Sequence, residues 1–254
     1  MPTIETVRGT FYYKDYRQDE ITHPPLMLIH GAGGVYLDLP IELRKTMQTI
    51  ALDLHGHGRS SGSGRRRIRD YAEDIVALLD ALNIEKAIIA GHSMGGAIAQ
   101  TLALDFADRV AGLILLGTGA HLPVNQMIID GLESNFEKTC QNLIKWQWHK
   151  SALEQYRQRG LERLLQTPIN TIRNDFLACN EFDIRERLAE ITVPTLIIAA
   201  AEDKMLAQSQ SEFLAEKISG AKLAILENAG HMFPLEQANQ VVDIVQQWVT
   251  EKFQ

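Results

Sequence analysis

The sequence predicts an α/β protein: a mostly parallel central sheet, helices on both faces, and one helical insertion. Three observations predict it. Short, almost wholly apolar runs at 26–30, 87–90, 110–117 and 195–200 have the length and composition of strands buried on both faces. From residue 26 to 117 these runs alternate with loops and amphipathic stretches, which is the order of a parallel sheet covered by crossover helices. The alternation then stops between about 120 and 190, where amphipathic stretches occur without a strong strand, and resumes after Val193-Pro194.

Taken in order, TFYYKDY at 10–16 is rich in aromatic and β-branched residues and reads as an early strand in an antiparallel hairpin at the sheet edge. LMLIH at 26–30 is a buried strand that runs into Gly31-Ala32-Gly33-Gly34, where glycines let the backbone approach a ligand. QTIALDL at 48–54 is the next strand, followed by HGHGRSSGSG; Arg65, Arg66 and Arg67 after it read as a solvated loop. RDYAEDIVALLDAL at 69–82 has helical spacing and stops at Asn83. Ala87–Ala90 is a strand, Ala97–Phe106 a helix, and VAGLILLG a strand. In the insertion, 128–150 and 151–165 both read as helix. TLIIAA at 195–200 is a strand, 209–218 a helix, AKLAILE at 221–227 the last strand, and 235–249 a closing amphipathic helix. One core domain, 1–119 with 191–254, and one inserted unit, 120–190, account for the chain, which shows no internal repeat.

Composition bounds the function. A chain of 254 residues with 45% hydrophobic and 22% charged side chains is ordinary for a globular protein. A net charge of -7 argues against nucleic acid or an anionic membrane as partner, and leaves a small-molecule substrate and a monomer or homodimer as the expectation. No apolar run reaches the roughly 20 residues needed to span a bilayer, and the N-terminus lacks a signal-peptide core, so a cytoplasmic location is expected. Cys140 and Cys179 are read as free thiols. His55 and His57 have no third ligand at a useful spacing, so no metal site is expected.

The chemistry concentrates at GHSMG, 91–95. A strand passing straight into a helix forces its junction residue, Ser93, toward positive φ, and the turn closes only if Gly91 and Gly95 have no side chain. Gly96 lets the helix approach the sheet, and Ser93 stands at a helix N-terminus that favours developing negative charge. A serine hydroxyl needs a base, and the base an orienting acid. Glu202 and Asp203 follow one later strand, and His231 follows the last.

With its G-x-S-x-G pentapeptide, its glycine loop after an early strand, and Asp53 to Ser60 matching D-x-x-G-x-G-x-S, the sequence resembles the α/β-hydrolase family. The resemblance implies a Ser93, Asp203, His231 triad, with the amides of Ala32 and Met94 as oxyanion hole and no cofactor or metal. It implies Asp203 over Glu202 through the family's G-x-x-D pattern, although Ala200 stands where glycine is usual and Leu206-Ala207 replaces the commoner Thr-Pro. The other place for the acid in this family, after the sixth strand, reads TGAHLPVNQM and holds no carboxylate. The insertion corresponds to the family's helical cap, where Trp146, Trp148 and Met127, with Gly31 and Gly33 below, are the candidate substrate-binding residues. A serine nucleophile argues against dehalogenase and epoxide hydrolase chemistry, and the nearest resemblance is to small carboxylesterases. The expected substrate is a small, largely uncharged ester. The alternatives are a C–C hydrolase of ring-opened aromatics, a cofactor-free haloperoxidase or perhydrolase, and a member that binds ligand without turnover.

Overall fold

The computed structural model describes residues 2–18 and 23–253; Met1 and Gln254, the ends of the expected core domain, lie outside them. Eight strands form one sheet: β1 (Thr3–Thr6), β2 (Gly9–Asp15), β3 (Leu26–Ile29), β4 (Thr49–Leu52), β5 (Ala87–His92), β6 (Val110–Leu116), β7 (Thr195–Ala200) and β8 (Lys222–Leu226). Their spatial order is β1-β2-β4-β3-β5-β6-β7-β8. β2 pairs antiparallel with β1 and β4, and every other pairing is parallel. The edge hairpin expected at 10–16 is thus completed by a short β1, which is too polar to signal itself in sequence.

Alternation along the strands divides the core. Met27 and Ile29 of β3 pack on one face of the sheet beneath α1 (Ile68–Ala81) and α2 (Met94–Asp105), while Leu26 and Leu28 pack on the other with Val245 and Trp248 of α9 (Ala238–Phe253). Asn83, at φ 52°, ends α1 in the left-handed conformation that asparagine tolerates.

Between β6 and β7 come α3 (Gln126–Ser134), α4 (Phe136–Gln147), α5 (Glu154–Gln166) and α6 (Ile169–Glu181). The stretch 128–150 is not one helix. Asn135 breaks it at φ -155° and caps α4 by accepting from the Lys138 amide. These helices share a core of Leu132, Leu143, Ile144, Trp148, Leu164 and Phe176, among others, which also reaches Met232 of the main domain. The short α7 (Gln208–Lys217) and α8 (Phe233–Glu236) complete the chain. Among the described residues, no helix is long and apolar enough to cross a membrane. The loop at 65–67 departs from the expectation in one respect: Arg65 is held by the fully buried Asp74 through two hydrogen bonds of 2.8 and 2.9 Å. A buried carboxylate needs a cation, and Arg8 joins Arg65 in supplying it.

Strand order fixes where a site can be. The chain leaves β3 toward β4 on one side and returns to β5 on the other. The loops after β3 and β5 therefore diverge and open a crevice at their carboxyl ends.

Candidate active site

Ser93 links β5 to α2 with φ 54° and ψ -117°. A non-glycine residue there stores about 1–3 kcal/mol of strain, which the surroundings must hold. They do so by close backbone contact. A Cβ on Gly91 would lie 2.0 Å from the Gly95 carbonyl oxygen, and one on Gly95 would lie 2.2 Å from that of Ile29. A Cβ on Gly96 would collide with Thr118, whose hydroxyl donates to the Ser93 carbonyl at 2.8 Å. The Ser93 amide donates to Leu116 at 2.9 Å, so both backbone groups of the junction residue are tied to β6 and the loop after it.

His231 and Asp203 meet. Nδ1 of His231 donates to Oδ2 of Asp203 at 2.7 Å, both side chains being almost fully buried. The other carboxylate oxygen accepts the amides of Met205, at 2.7 Å, and Leu206, at 2.9 Å. Burial alone would raise the Asp203 carboxyl, but the attraction of His231 and these hydrogen bonds outweigh it and hold it below its ordinary value. Glu202, by contrast, is exposed and faces His149 and Lys150. Because Nδ1 is committed to Asp203, Nε2 is the nitrogen left for the cavity that Ser93 and His231 both line.

His92 lies against His231, with ring centroids 4.7 Å apart. Its Nε2 donates to the His231 carbonyl at 2.9 Å. Burial and the neighbouring His231 push it down to about 3, so it stays neutral and adds no positive charge beside His231. The His231 loop is also bound to the segment after α4. The Glu236 carboxylate accepts the amides of Gly230, at 2.6 Å, and His149, at 2.7 Å, and Met232 donates to the Gln147 carbonyl.

The amides of Ala32 and Met94 have no acceptor among the described residues. Ala32, Gly31 and Gly33 line the floor of the cavity, and Trp148, Ile144, Leu164, Phe176 and Met232 its walls. The cavity is partly open to solvent and has a volume of about 60 Å³. Trp146 and Met127 are not there: they are 38% and 73% exposed and flank a separate open groove. Residues 146 and 148 fall on nearly opposite faces of a helical turn, so only one of the two tryptophans can turn inward.

Comparison with known proteins fits this arrangement. The α/β hydrolase fold family matches residues 24–139. A 2-hydroxymuconate semialdehyde hydrolase of Pseudomonas sp. (strain CF600) is 30% identical over 251 residues, covering 89% of this chain and 87% of that one. The chain belongs to the α/β-hydrolase family. A 3-oxoadipate enol-lactonase of Acinetobacter baylyi is 27% identical over 231 residues, covering 87% of this chain and 86% of its own. The crystal structure of an enol-lactonase from Burkholderia xenovorans LB400 superposes with a TM-score of 0.88 at 23% identity, covering 98% of this chain and 100% of that one, a likeness of fold.

In this α/β hydrolase the cavity also holds polar residues that sequence did not single out as a pair. Arg163 of α5 lines the cavity and meets Asp38 there, with Nη2 2.8 Å from Oδ1. Asp38 lies 125 residues from its partner, on a short 3-10 turn that no sequence motif marks. Ile144, Leu164 and Met232 were likewise invisible, each an ordinary apolar residue on a helix or turn. His55 and His57 serve the scaffold: His57 pairs with Asp175 of α6, its Nε2 2.8 Å from Oδ2.

Proposed function

We propose that the protein is a serine hydrolase that cleaves a small, largely uncharged carboxylic ester, open-chain or cyclic, through an acyl-enzyme. The observation that carries the reading is the 2.7 Å bond from His231 to Asp203, which turns the remaining ring nitrogen to the cavity that holds Ser93. His231 Nε2 takes the Ser93 proton as Oγ attacks the acyl carbon, and Asp203 stabilises the imidazolium. The carbonyl electrons move onto oxygen, where the unpaired amides of Ala32 and Met94 and the α2 N-terminus favour the charge. As the tetrahedral intermediate collapses, the C–O bond breaks and His231 returns its proton to the leaving oxygen. A water then loses a proton to His231 as it attacks the acyl carbon, and the second tetrahedral intermediate collapses with His231 returning that proton to Ser93 Oγ, which releases the carboxylic acid. In this reading 120–190 is a cap whose closure keeps bulk water from the acyl-enzyme.

Charge balance supports an uncharged substrate. Arg163 is the cation of the lining, and Asp38 already answers it, so a dianion would meet no surplus positive charge among the described lining residues. One observation favours a second reading, C–C hydrolysis of a dienoic acid. Nε of Arg163 is buried without a hydrogen-bond partner among the described residues, and similarity extends to a 2-hydroxymuconate semialdehyde hydrolase.

A fluorophosphonate probe should label the wild type and not Ser93→Ala. Ser93→Ala and His231→Ala should each lower kcat on short p-nitrophenyl esters by about 10⁴-fold with the fold intact. Full turnover by Ser93→Ala removes the nucleophile. A panel of neutral esters and lactones against acidic esters and ring-opened dienoic acids separates the two readings. Higher kcat/KM on the dienoic acids overturns the esterase.

A further inference from the structure

Asp175 lies on α6, inside the insertion, and is fully buried. Three donors converge on its carboxylate. Tyr71 Oη donates to Oδ1 at 2.5 Å, and Oδ2 accepts His57 Nε2 and the backbone amide of Gly33, both at 2.8 Å. His57 Nδ1 faces the His55 carbonyl at 3.1 Å, so each ring nitrogen meets an acceptor and the ring carries both protons. Burial opposes that charge, but the attraction of Asp175 and the hydrogen bonds prevail, and the imidazole is held above its ordinary value.

The third donor is the informative one. A buried carboxylate needs its remaining lone pairs satisfied, and here the group that does so is a backbone amide of the glycine loop, next to Ala32. Gly33 follows Ala32, and the insertion meets both sides of it: Asp175 takes its N–H, and the Thr167 hydroxyl shares its one proton between the Gly33 carbonyl at 3.3 Å and the Arg163 carbonyl at 3.2 Å. On the other side of Ala32, the Gly31 carbonyl accepts from His30 Nδ1 at 2.8 Å and from the Gly34 amide at 3.1 Å. A peptide unit is planar and trans, so fixing the Gly31 carbonyl aims the Ala32 N–H the opposite way. Fixing the Gly33 amide fixes the next plane. Ala32 is thereby oriented from both sides, one by the main domain and one by the insertion.

We infer that Asp175 is a positioning residue: it holds the Ala32–Gly33 peptide from α6, so that docking of the insertion completes the oxyanion-binding loop. The inference rests on the proposed reading, in which the Ala32 amide receives the oxyanion. α6 is itself anchored on the main domain, since Thr171 donates to the Gly56 carbonyl at 3.2 Å and Asn174 to that of Ser63 at 3.1 Å. The loop and the helix therefore move together or not at all.

The test compares wild type, Asp175→Asn and Thr167→Val on p-nitrophenyl acetate, with inhibition by a trifluoromethyl ketone and by the matching methyl ketone. Addition of Ser93 to the first places an oxyanion in the loop; the second binds without that adduct. Asp175→Asn is expected to lower kcat by about tenfold to a hundredfold, less than deleting a donor outright, with KM little changed. Affinity for the trifluoromethyl ketone should fall by the same factor, and affinity for the methyl ketone should hold. Thr167→Val removes no charge and should show the same pattern at smaller size, which keeps the test decisive if Asp175→Asn does not fold. Wild-type kcat in the folded variants, or equal weakening of both ketones, overturns the inference. A wild type that neither labels nor turns over removes the reading of the site itself, a result distinct from an active wild type with indifferent variants.

Discussion

Asp203→Asn is the substitution whose outcome the geometry fixes most tightly. Oδ1 of Asp203 accepts two backbone amides, from Met205 and Leu206, while Oδ2 accepts only the His231 ring. Asparagine has one oxygen, and keeping it where it satisfies two donors turns its NH₂ group toward His231. A donor then faces Nδ1, so the ring must place its proton on Nε2. That is the nitrogen the mechanism needs as acceptor, and the base is lost through the wrong tautomer. The expected loss in kcat is about 10⁴-fold, the scale seen when a triad imidazole is held that way. Stability should fall far less: one charge-assisted hydrogen bond is replaced by a neutral one, at a cost of about 1–1.5 kcal/mol.

The sign of the pH dependence is also set. The folded Asp203 carboxyl lies below 3.8, so its contribution is present above that value and lost as pH falls through the folded value. The stability gap between wild type and Asp203→Asn should therefore be open at neutral pH and close in strong acid. Steady-state kinetics on a short ester, with thermal melts across pH, measure both. Glu202→Gln is the control: its carboxylate is 41% exposed, and it should cost little activity. If Glu202→Gln abolishes turnover and Asp203→Asn keeps more than a tenth of it, the reasoning fails.

The buried His57–Asp175 pair gives a dependence of opposite sign. His57 is raised above 6.5 in the fold, so its contribution is complete below that pH and fades as pH rises through the folded value. In Asp175→Asn the main attraction that offsets burial is gone, the His55 carbonyl and Asp53 remaining, and charging His57 costs stability. The gap in Tm from wild type should be wider at about pH 5.5 than at about pH 9, and equal gaps in thermal melts would refute it. Leu164 lines the cavity and stands where a Cβ on Gly33 would meet it at 2.7 Å. Leu164→Ala should destabilise by about 2–5 kcal/mol in denaturant melts and shift the preferred acyl chain to a longer one on an ester series.

What could be read in the sequence was what is local. The elbow is written in five adjacent residues, because the strain at Ser93 is relieved by glycines two positions away. The sheet is written in apolar runs, because a strand buried on both faces needs nothing else. Asp203 and His231 were legible because chain order and strand ends restrict which acid and which histidine can meet. The pocket was not. Trp146 and Trp148 look alike in sequence, and only the phase of the helix end selects Trp148; Asp38 and Arg163 pair across two elements whose relative placement no pattern announces. His57 beside His55 has the look of a metal ligand in sequence, because imidazoles near one another suggest one. Its partner lies 118 residues away on α6, in a stretch whose acids and bases are nearly balanced. Tyr71, His57 and Gly33 come from three separate segments, and they meet only because the loop after β3, the turn after β4 and the start of α1 converge beneath α6. Each would read as an ordinary residue alone. The buried carboxylate makes them one unit, because a charge without water must collect its donors from whatever the fold brings near.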